Sequence, residues 1–347
     1  MKRVVNVMAL GMVIAVMGFT QTDLQPAALV RLTKSEPITV KQFRTEIERM
    51  ETQMGRPLNA AERRQVLDVM INERLAIQAA ERDKITISEN EITQQMQQLR
   101  SAMAQQIRRQ PTDAEFTVAV RNETGLDLPA FREQLRRQMI TQKYLMSKKD
   151  SLFKSIKIPS EGEILNNYTL AKSQFVRPES VRFSMIQVSF GTDTADKAKA
   201  KELADRLVRD IGSNPAKFDE AVVKGQAANA GYRAGDGGYL PRNLEAQQVV
   251  GQDFMTTAFT LKQGEVSKLI EGANGYQIIK VTETHDQKNL DLDDIFQLGT
   301  TMTVRDYIGN VMLQERQQKA IEQATQELVT ELRRGNPFQV FENNLTW

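Results

Sequence analysis

Apolar residues in the first half of the chain recur every three or four residues, which is the spacing of one helix face. The clearest case begins at Asn59, where Glu62 completes a capping box, and continues to Ala80. Similar patterns, most of them with a polar residue as start signal, predict four further helices: Val40–Met54, Ser88 to about Arg109, Leu128–Asp150 and one that begins at Ser160. The segment Leu29–Ile38 precedes them and reads as extended.

The pattern changes to strands and shorter helices after Phe175. Strands are predicted at Val181–Phe190, Val266–Ile270 and Tyr276–Thr282, with an Asn-Gly turn before the last one. Helices are predicted at Thr194–Ile211, Phe218–Ala228, Asp253–Leu261 and, after a further break, Thr301–Arg334. The whole pattern therefore indicates an α+β chain in which helical segments flank a small βα domain.

Residues 1–20 have the pattern of an export signal. Lys2 and Arg3 precede a nearly unbroken apolar run, Val4–Phe19. At a helical rise that run spans about 24 Å, which is short of the roughly 30 Å hydrocarbon core. We therefore expect a cleaved signal peptide, and an uncleaved membrane anchor is the alternative. Without Cys the chain has no site for a lipoprotein anchor.

Composition excludes several classes of function. The length of 347 residues suggests two or three domains, and the 40% of hydrophobic residues is enough to form a sizeable core. The formal net charge is only +2. Such a balance argues against a nucleic-acid binder. With no Cys and one His, thiol catalysis, disulfides and most zinc sites are excluded, and no glycine-rich phosphate loop follows a strand. We expect no cofactor.

Three segments between Gly235 and Val281 follow each other in a recognisable order. They read G-D-G-G-Y-L, then F-M-T-T-A-F-T-L-K-Q-G-E-V-S, then N-G-Y-Q-I-I-K-V. Together they resemble the last two-thirds of a parvulin, the small peptidyl-prolyl isomerase domain, apart from about five extra residues between Leu240 and Phe254. The resemblance implies a small four-stranded sheet with surrounding helices.

The resemblance also assigns the site. Rotation about an X-Pro bond has a barrier of about 18–20 kcal/mol. A parvulin lowers this barrier by binding the proline ring in an apolar pocket and desolvating the twisted amide. The residues that would form the apolar ring pocket are Val250, Phe254 and Phe259. The two hallmark histidines fall on Met185 and Gln277, and the Asp or Cys of the family's polar network falls near Gln226 or Ala227. The fold is therefore expected to be kept while catalysis is weak or lost.

Four segments before the parvulin-like part are similar to the N-terminal module of SurA-type envelope chaperones. They read V-R-L-T-K-S-E-P-I-T-V, R-R-Q-V-L-D-V-M-I-N-E-R-L-A-I-Q-A-A, I-T-I-S-E-N-E-I and F-R-E-Q-L-R-R-Q-M-I-T-Q-K. The expected organisation is a signal peptide at 1–20, a helical chaperone module at 29–172, a parvulin-like domain at 176–285, and a C-terminal segment at 286–347 whose helix packs back on the first module. Met96, Met103 and Met139 are candidates to line an adaptable apolar cradle for clients.

These resemblances predict a SurA- or PrsA-like chaperone of the bacterial envelope. Its partners would be unfolded or proline-containing polypeptides, with no nucleic acid, and with membrane contact only through an uncleaved N-terminal segment. Two alternatives stay open: an active prolyl isomerase with a divergent site, and a membrane-anchored folding factor.

Overall fold

The structure of the protein is a computed structural model that describes residues 23–107, 109–191, 194–227 and 229–345. The expected signal peptide, residues 1–20, lies outside the described residues. Within the described part, no helix is both long enough and apolar enough to cross a membrane.

Helices and short strands alternate along the chain in the α+β order that the sequence indicates. The α-helices are α1 Val40–Met54, α2 Ala60–Arg82, α3 Glu89–Ile107, α4 Asp113–Thr124, α5 Leu128–Lys148, α6 Asp150–Lys154, α7 Glu161–Ala171, α8 Thr194–Ile211, α9 Pro215–Lys224, α10 Leu244–Val250, α11 Gln252–Thr260 and α12 Val304–Leu332. The strands are β1 Pro26–Val30, β2 Glu36–Thr39, β3 Val176–Arg177, β4 Ser180–Ser189, β5 Arg233–Pro241, β6 Ile270–Gly272, β7 Gly275–His285, β8 Lys288–Asn289 and β9 Phe338–Val340.

The chain divides into two compact units, one made of the chain up to Ile156 together with the part from Arg316 onward, and the other of Lys157–Glu315. The first unit is built around α2, whose Leu67, Ile71 and Leu75 are fully buried. A small antiparallel sheet of order β2-β1-β9 packs on α2. The expected extended segment Leu29–Ile38 is thus a hairpin of two strands.

Gln78 of α2 is a fully buried polar residue that secures this hairpin. Its Oε1 accepts hydrogen bonds from the main-chain N–H groups of Leu32, at 3.0 Å, and Thr33, at 3.1 Å. Its amide nitrogen donates to Glu36 at 3.2 Å. Because each buried polar atom has a partner, burial of this side chain fixes the hairpin on the helix instead of destabilising the core.

The C-terminal chain completes the core of the first unit. Leu328 and Leu332 at the end of α12 are buried beside α2 and α5 residues. Arg333 donates to the Asp68 carboxylate and to Asn72 Oδ1, both at 2.7 Å, and β9 pairs with β1. These contacts are the ones that the expected return of the C-terminal helix requires.

The helix starts follow their capping signals. Asn59 and Glu62 form a capping box, in which the side chain of each accepts a hydrogen bond from the main-chain N–H of the other. Ser160 and Glu163 form the same arrangement. The same arrangement at Thr112 and Glu115 starts α4, a helix that the sequence reading omitted. Met96 is buried where α3 packs against α4 and α5, and Met103 and Met139 are half-buried around it. These methionines therefore belong to a packed cluster in the first unit.

The second unit contains a four-stranded antiparallel sheet of order β5-β4-β7-β6. One face packs against α8 and α9 through Ile186, Ala204 and Phe218. The opposite face packs against α11 through Phe254 and Ile279, with α10 at its margin. The edge strand β6 begins at Ile270, the last residue of the predicted span Val266–Ile270, and Val266 makes an isolated bridge to Lys280.

A separate apolar cluster joins the two ends of the second unit. It contains Ile164 and Tyr168 of α7 with Val304 and Ile308 of α12, and Phe175 and Leu290 beside them. By these contacts residues 157–172 and 286–315 belong with the parvulin-like part, whereas the sequence reading assigned both segments to the first module.

Candidate functional site

Met185 and Gln277, the positions of the two hallmark histidines, lie on the same face of the sheet. Met185 on β4 pairs with Ile279 on β7, and Gln187 on β4 pairs with Gln277. Because residues two apart on a strand share a face, all four side chains point to the side that α10 and α11 cover. Met185 and Gln277 are therefore diagonal neighbours, close enough for long side chains to meet.

The amide of Gln277 lies against the last residue of the edge strand β6. A Cβ atom added to Gly272 would lie 3.2 Å from Gln277 Oε1, so the amide is in close contact with this strand. Oε1 is buried and has no hydrogen-bond partner among the described residues. A buried acceptor without a partner costs about 1–3 kcal/mol, which makes it an unusual feature of a sheet face.

The three candidate pocket residues differ in their exposure. Phe254 is 3% exposed, and its ring packs edge-to-face on Phe183 with 5.2 Å between centroids. Val250 and Phe259 are half-buried at the margin of the same cluster, as is Met185. The accessible apolar surface therefore consists of Met185, Val250 and Phe259, and Phe254 supports it from below.

Arg242 covers part of that surface. Its guanidinium carbon lies 5.2 Å from the Phe259 ring centroid, and its Nη1 donates to Glu179 at 2.7 Å. The Arg242 main-chain N–H also donates to the Glu179 carbonyl at 2.8 Å. The guanidinium thus covers one aromatic residue of the candidate pocket. The sequence alone does not predict this contact, because Glu179 and Arg242 are far apart in the chain.

A charged network occupies the other face of the sheet. Arg182 donates to Asp236 at 2.6 Å and to Glu283 at 2.9 Å, and the Tyr239 hydroxyl donates to Glu283 at 2.8 Å. His285 Nε2 lies 3.1 Å from the same Glu283 carboxylate. The chain's one histidine is therefore on the face opposite Met185 and Gln277, so no imidazole is available to the cleft.

The network keeps its carboxylates ionised. Hydrogen bonds from Arg182, then Tyr239 and His285, lower the pKa of Glu283 to about 2. Arg182 also lowers the pKa of Asp236, with help from the Gly238 N–H. The hydrogen bond to Glu283 raises the pKa of the Tyr239 phenol. Asp236 is exposed and the other groups are half-buried, so solvent screens the network and it contributes little stability.

Two family models cover most of the chain. Residues 159–296 match the PPIC-type PPIase domain, and residues 1–145 match the SurA-like N-terminal domain. The chain joins a SurA-like N-terminal domain to a parvulin domain. The parvulin match contains the whole sheet and both helical layers, so the sheet face that bears Met185 and Gln277 lies within it.

Proteins named Chaperone SurA and foldase protein PrsA are similar to this chain in sequence. The Chaperone SurA of Chromohalobacter salexigens is 26% identical over 296 residues, which are 80% of this chain and 62% of that protein. The Chaperone SurA of Alcanivorax borkumensis is 30% identical over 234 residues, 65% of this chain and 49% of that protein. The foldase protein PrsA of Staphylococcus aureus strain Newman is 28% identical over 131 residues, 36% of this chain and 39% of that protein. The chain thus spans less than two-thirds of the length of each.

Solved structures that align with this chain include a SurA-like chaperone of Campylobacter jejuni. The alignment has 13% identity and a TM-score of 0.40, and it covers 91% of this chain and 100% of that one. PrsA from Bacillus subtilis has 18% identity and a TM-score of 0.28, covering 89% and 93%.

Met185, Gln187 and Gln277 share one face of the sheet in the parvulin domain. Their thioether and two amides do not titrate in the physiological range. Prolyl isomerisation depends on binding the twisted amide better than the planar one. Met185, Gln187 and Gln277 carry no charge with which to favour the twisted form.

Gln187 is the site residue that sequence reasoning overlooked. It stands two positions after Met185 in the strand M-I-Q-V, so simple strand alternation places it on the same face. The structure also brings Asp236 and His285 into the Arg182 network, a grouping that no local sequence pattern indicates.

Proposed function

We propose that this chain is an envelope chaperone that holds unfolded exported or outer-membrane polypeptides. Support comes from the joint presence of a SurA-like N-terminal domain and a PPIC-type domain, and from relatives named Chaperone SurA and foldase PrsA. The export signal expected at residues 1–20 supports a location in the periplasm or an equivalent extracytoplasmic compartment.

In this proposal the parvulin domain docks peptide and isomerises it slowly or not at all. The observation that carries this assignment is the neighbouring position of Met185 and Gln277 on the cleft floor, with the histidine on the opposite face. The docking surface comprises Met185, Val250 and Phe259, with Phe254 beneath them. An extended segment with a proline or aromatic side chain matches this small apolar surface.

The experiment compares two activities of the same preparation. Light scattering follows aggregation of an unfolded outer-membrane β-barrel protein on dilution from urea, with and without the purified chain. A protease-free assay follows cis–trans relaxation of a short X-Pro peptide. We expect suppressed aggregation at near-stoichiometric chaperone, with the peptide relaxing at nearly its uncatalysed rate. Fast peptide relaxation without protection of the client would instead support an isomerase with a divergent site.

A further inference from the structure

Two glutamines occupy opposite positions on the sheet face that α10 and α11 cover, and among the described residues neither side-chain amide has a hydrogen-bond partner. Gln187 and Gln277 are directly opposite each other on β4 and β7. Among the described residues neither side chain makes a hydrogen bond to the protein, and the Oε1 atom of Gln277 is buried as well. This differs from buried Gln78, whose amide is fully used in the core of the first unit.

We infer that Gln277, together with Gln187, binds the main chain of a bound extended peptide. The inference rests on the proposed function of the cleft and names the chemistry of its ligand. An extended segment presents alternating N–H and C=O groups, and a glutamine amide offers both a donor and an acceptor. Proline has no N–H, so the donor to Gln277 is the N–H of a residue next to the proline.

The position of the amide suits this role. Gln277 as a whole is half-buried, which leaves its side chain a route to the surface. The terminal torsion of glutamine is broad and two-fold, so a half turn exchanges oxygen and nitrogen at little cost. The apolar side chains of Val250 and Phe259 lie in the same cluster as Met185, whose strand also bears Gln187. One peptide can thus contact the apolar surface with its side chain and the amides with its main chain.

Main-chain recognition also explains why the cleft binds without catalysing. Hydrogen bonds to the amide groups flanking the X-Pro bond are equally available in the planar and twisted forms, so they lower the free energy of both. They depend little on side-chain identity. The ligand class is therefore a proline-containing extended segment of broad sequence, as an unfolded client provides.

The test combines a change in the protein with a change in the peptide. The probe is a fluorescein-labelled Ala-Phe-Pro-Leu-Ala peptide, and a second version is N-methylated on the leucine that follows proline, which removes that N–H. Fluorescence anisotropy measures both affinities for the full chain, for Gln277→Leu and Gln187→Leu, and for Gln287→Leu as a control. Gln287 is exposed in the loop between β7 and β8.

We expect N-methylation to weaken binding to the unmodified chain by roughly three- to tenfold, the size of one hydrogen bond. Gln277→Leu should bind the parent peptide more weakly by a similar factor and should bind both peptides with equal affinity. Gln287→Leu should behave like the unmodified chain. The thermal midpoint of Gln277→Leu should be unchanged or higher, because the variant removes a buried acceptor without a partner. That result separates lost binding from lost folding.

Equal discrimination by Gln277→Leu and the unmodified chain would overturn the inference, as would unchanged affinity for the parent peptide. Absence of measurable peptide binding to the unmodified chain would overturn it too. The proposed holding function is read separately in the aggregation assay, so the client can still be protected when this inference fails.

Discussion

Gln187 on β4 lies directly opposite Gln277 on β7, two positions along the strands from the pair formed by Met185 and Ile279. This pairing defines a cleft floor of neutral amides and a thioether. The cleft keeps hydrogen-bonding capacity while it loses groups that titrate. A loss of catalysis and a retained ability to bind are therefore consistent with each other.

Phe254→Ala should destabilise the parvulin domain more than it affects peptide contact. Truncating a buried Phe typically costs about 3–5 kcal/mol, and Phe254 is 3% exposed against Phe183. Phe259→Ala should cost clearly less because that side chain is half-buried. Urea denaturation, with hydrogen exchange of residues 252–260 to assign the transition, measures both. Equal losses for the two variants would contradict the distinction between supporting and accessible residues.

Leu328→Ala tests the return of α12 to the first unit. Leu328 is 6% exposed within the core around α2, and its truncation should destabilise this unit by about 2–5 kcal/mol. Ile321→Ala on the same helix is the matched control, because Ile321 is 43% exposed and should lose less than half as much. Denaturation curves that shift equally would mean that the end of α12 is not part of the core.

Arg182 should control the ionisation of Glu283. Because the folded-state pKa of Glu283 is lowered from 4.5 to about 2, its ionised form favours the folded state. That contribution is complete above about pH 4.5 and is lost as the pH falls toward 2. Arg182→Leu should raise the pKa of Glu283 toward its ordinary value in a carboxyl NMR titration. Arg209→Leu on α8 should leave it unchanged, and a shift in that control instead would point to a long-range charge effect.

The parvulin domain should be dispensable for holding clients. Arg177 and Lys288 are paired across β3 and β8, so residues 178–287 can be replaced by a short glycine linker that preserves the cluster of α7 and α12. We expect the shortened chain to retain at least half of the protection against client aggregation. If circular dichroism shows folded helices but protection is lost, the holding activity belongs to the parvulin domain.

The sequence predicts those elements whose signals are local. Capping residues such as Asn59 and Ser160 mark helix starts because the cap is formed within three residues. The pairing of β4 with β7 follows from the family motifs. Helix α10 was missed because it falls in the extra residues between Leu240 and Phe254, where the family motifs offer no guide.

The details of the cleft depend on contacts between distant segments. Periodicity places Phe254 and Phe259 on one short helix but does not show that Phe183 buries the first and Arg242 stacks on the second. The Arg182 network likewise joins three strands, so neither Asp236 nor His285 reveals its partner locally. Burial and charge pairing of this kind become visible only once the strands are in register.

The most direct test of the account is the rate of X-Pro isomerisation by the unmodified full chain, measured without a coupling protease at micromolar enzyme. Uncatalysed isomerisation takes tens to hundreds of seconds, so even weak catalysis is detectable. We predict little acceleration, and a higher rate for the triple variant Met185→His, Gln277→His and Ala227→Asp, which restores the family's residue types. Robust turnover by the unmodified chain that Phe259→Ala abolishes would show that this cleft catalyses without histidines, and the account would be wrong.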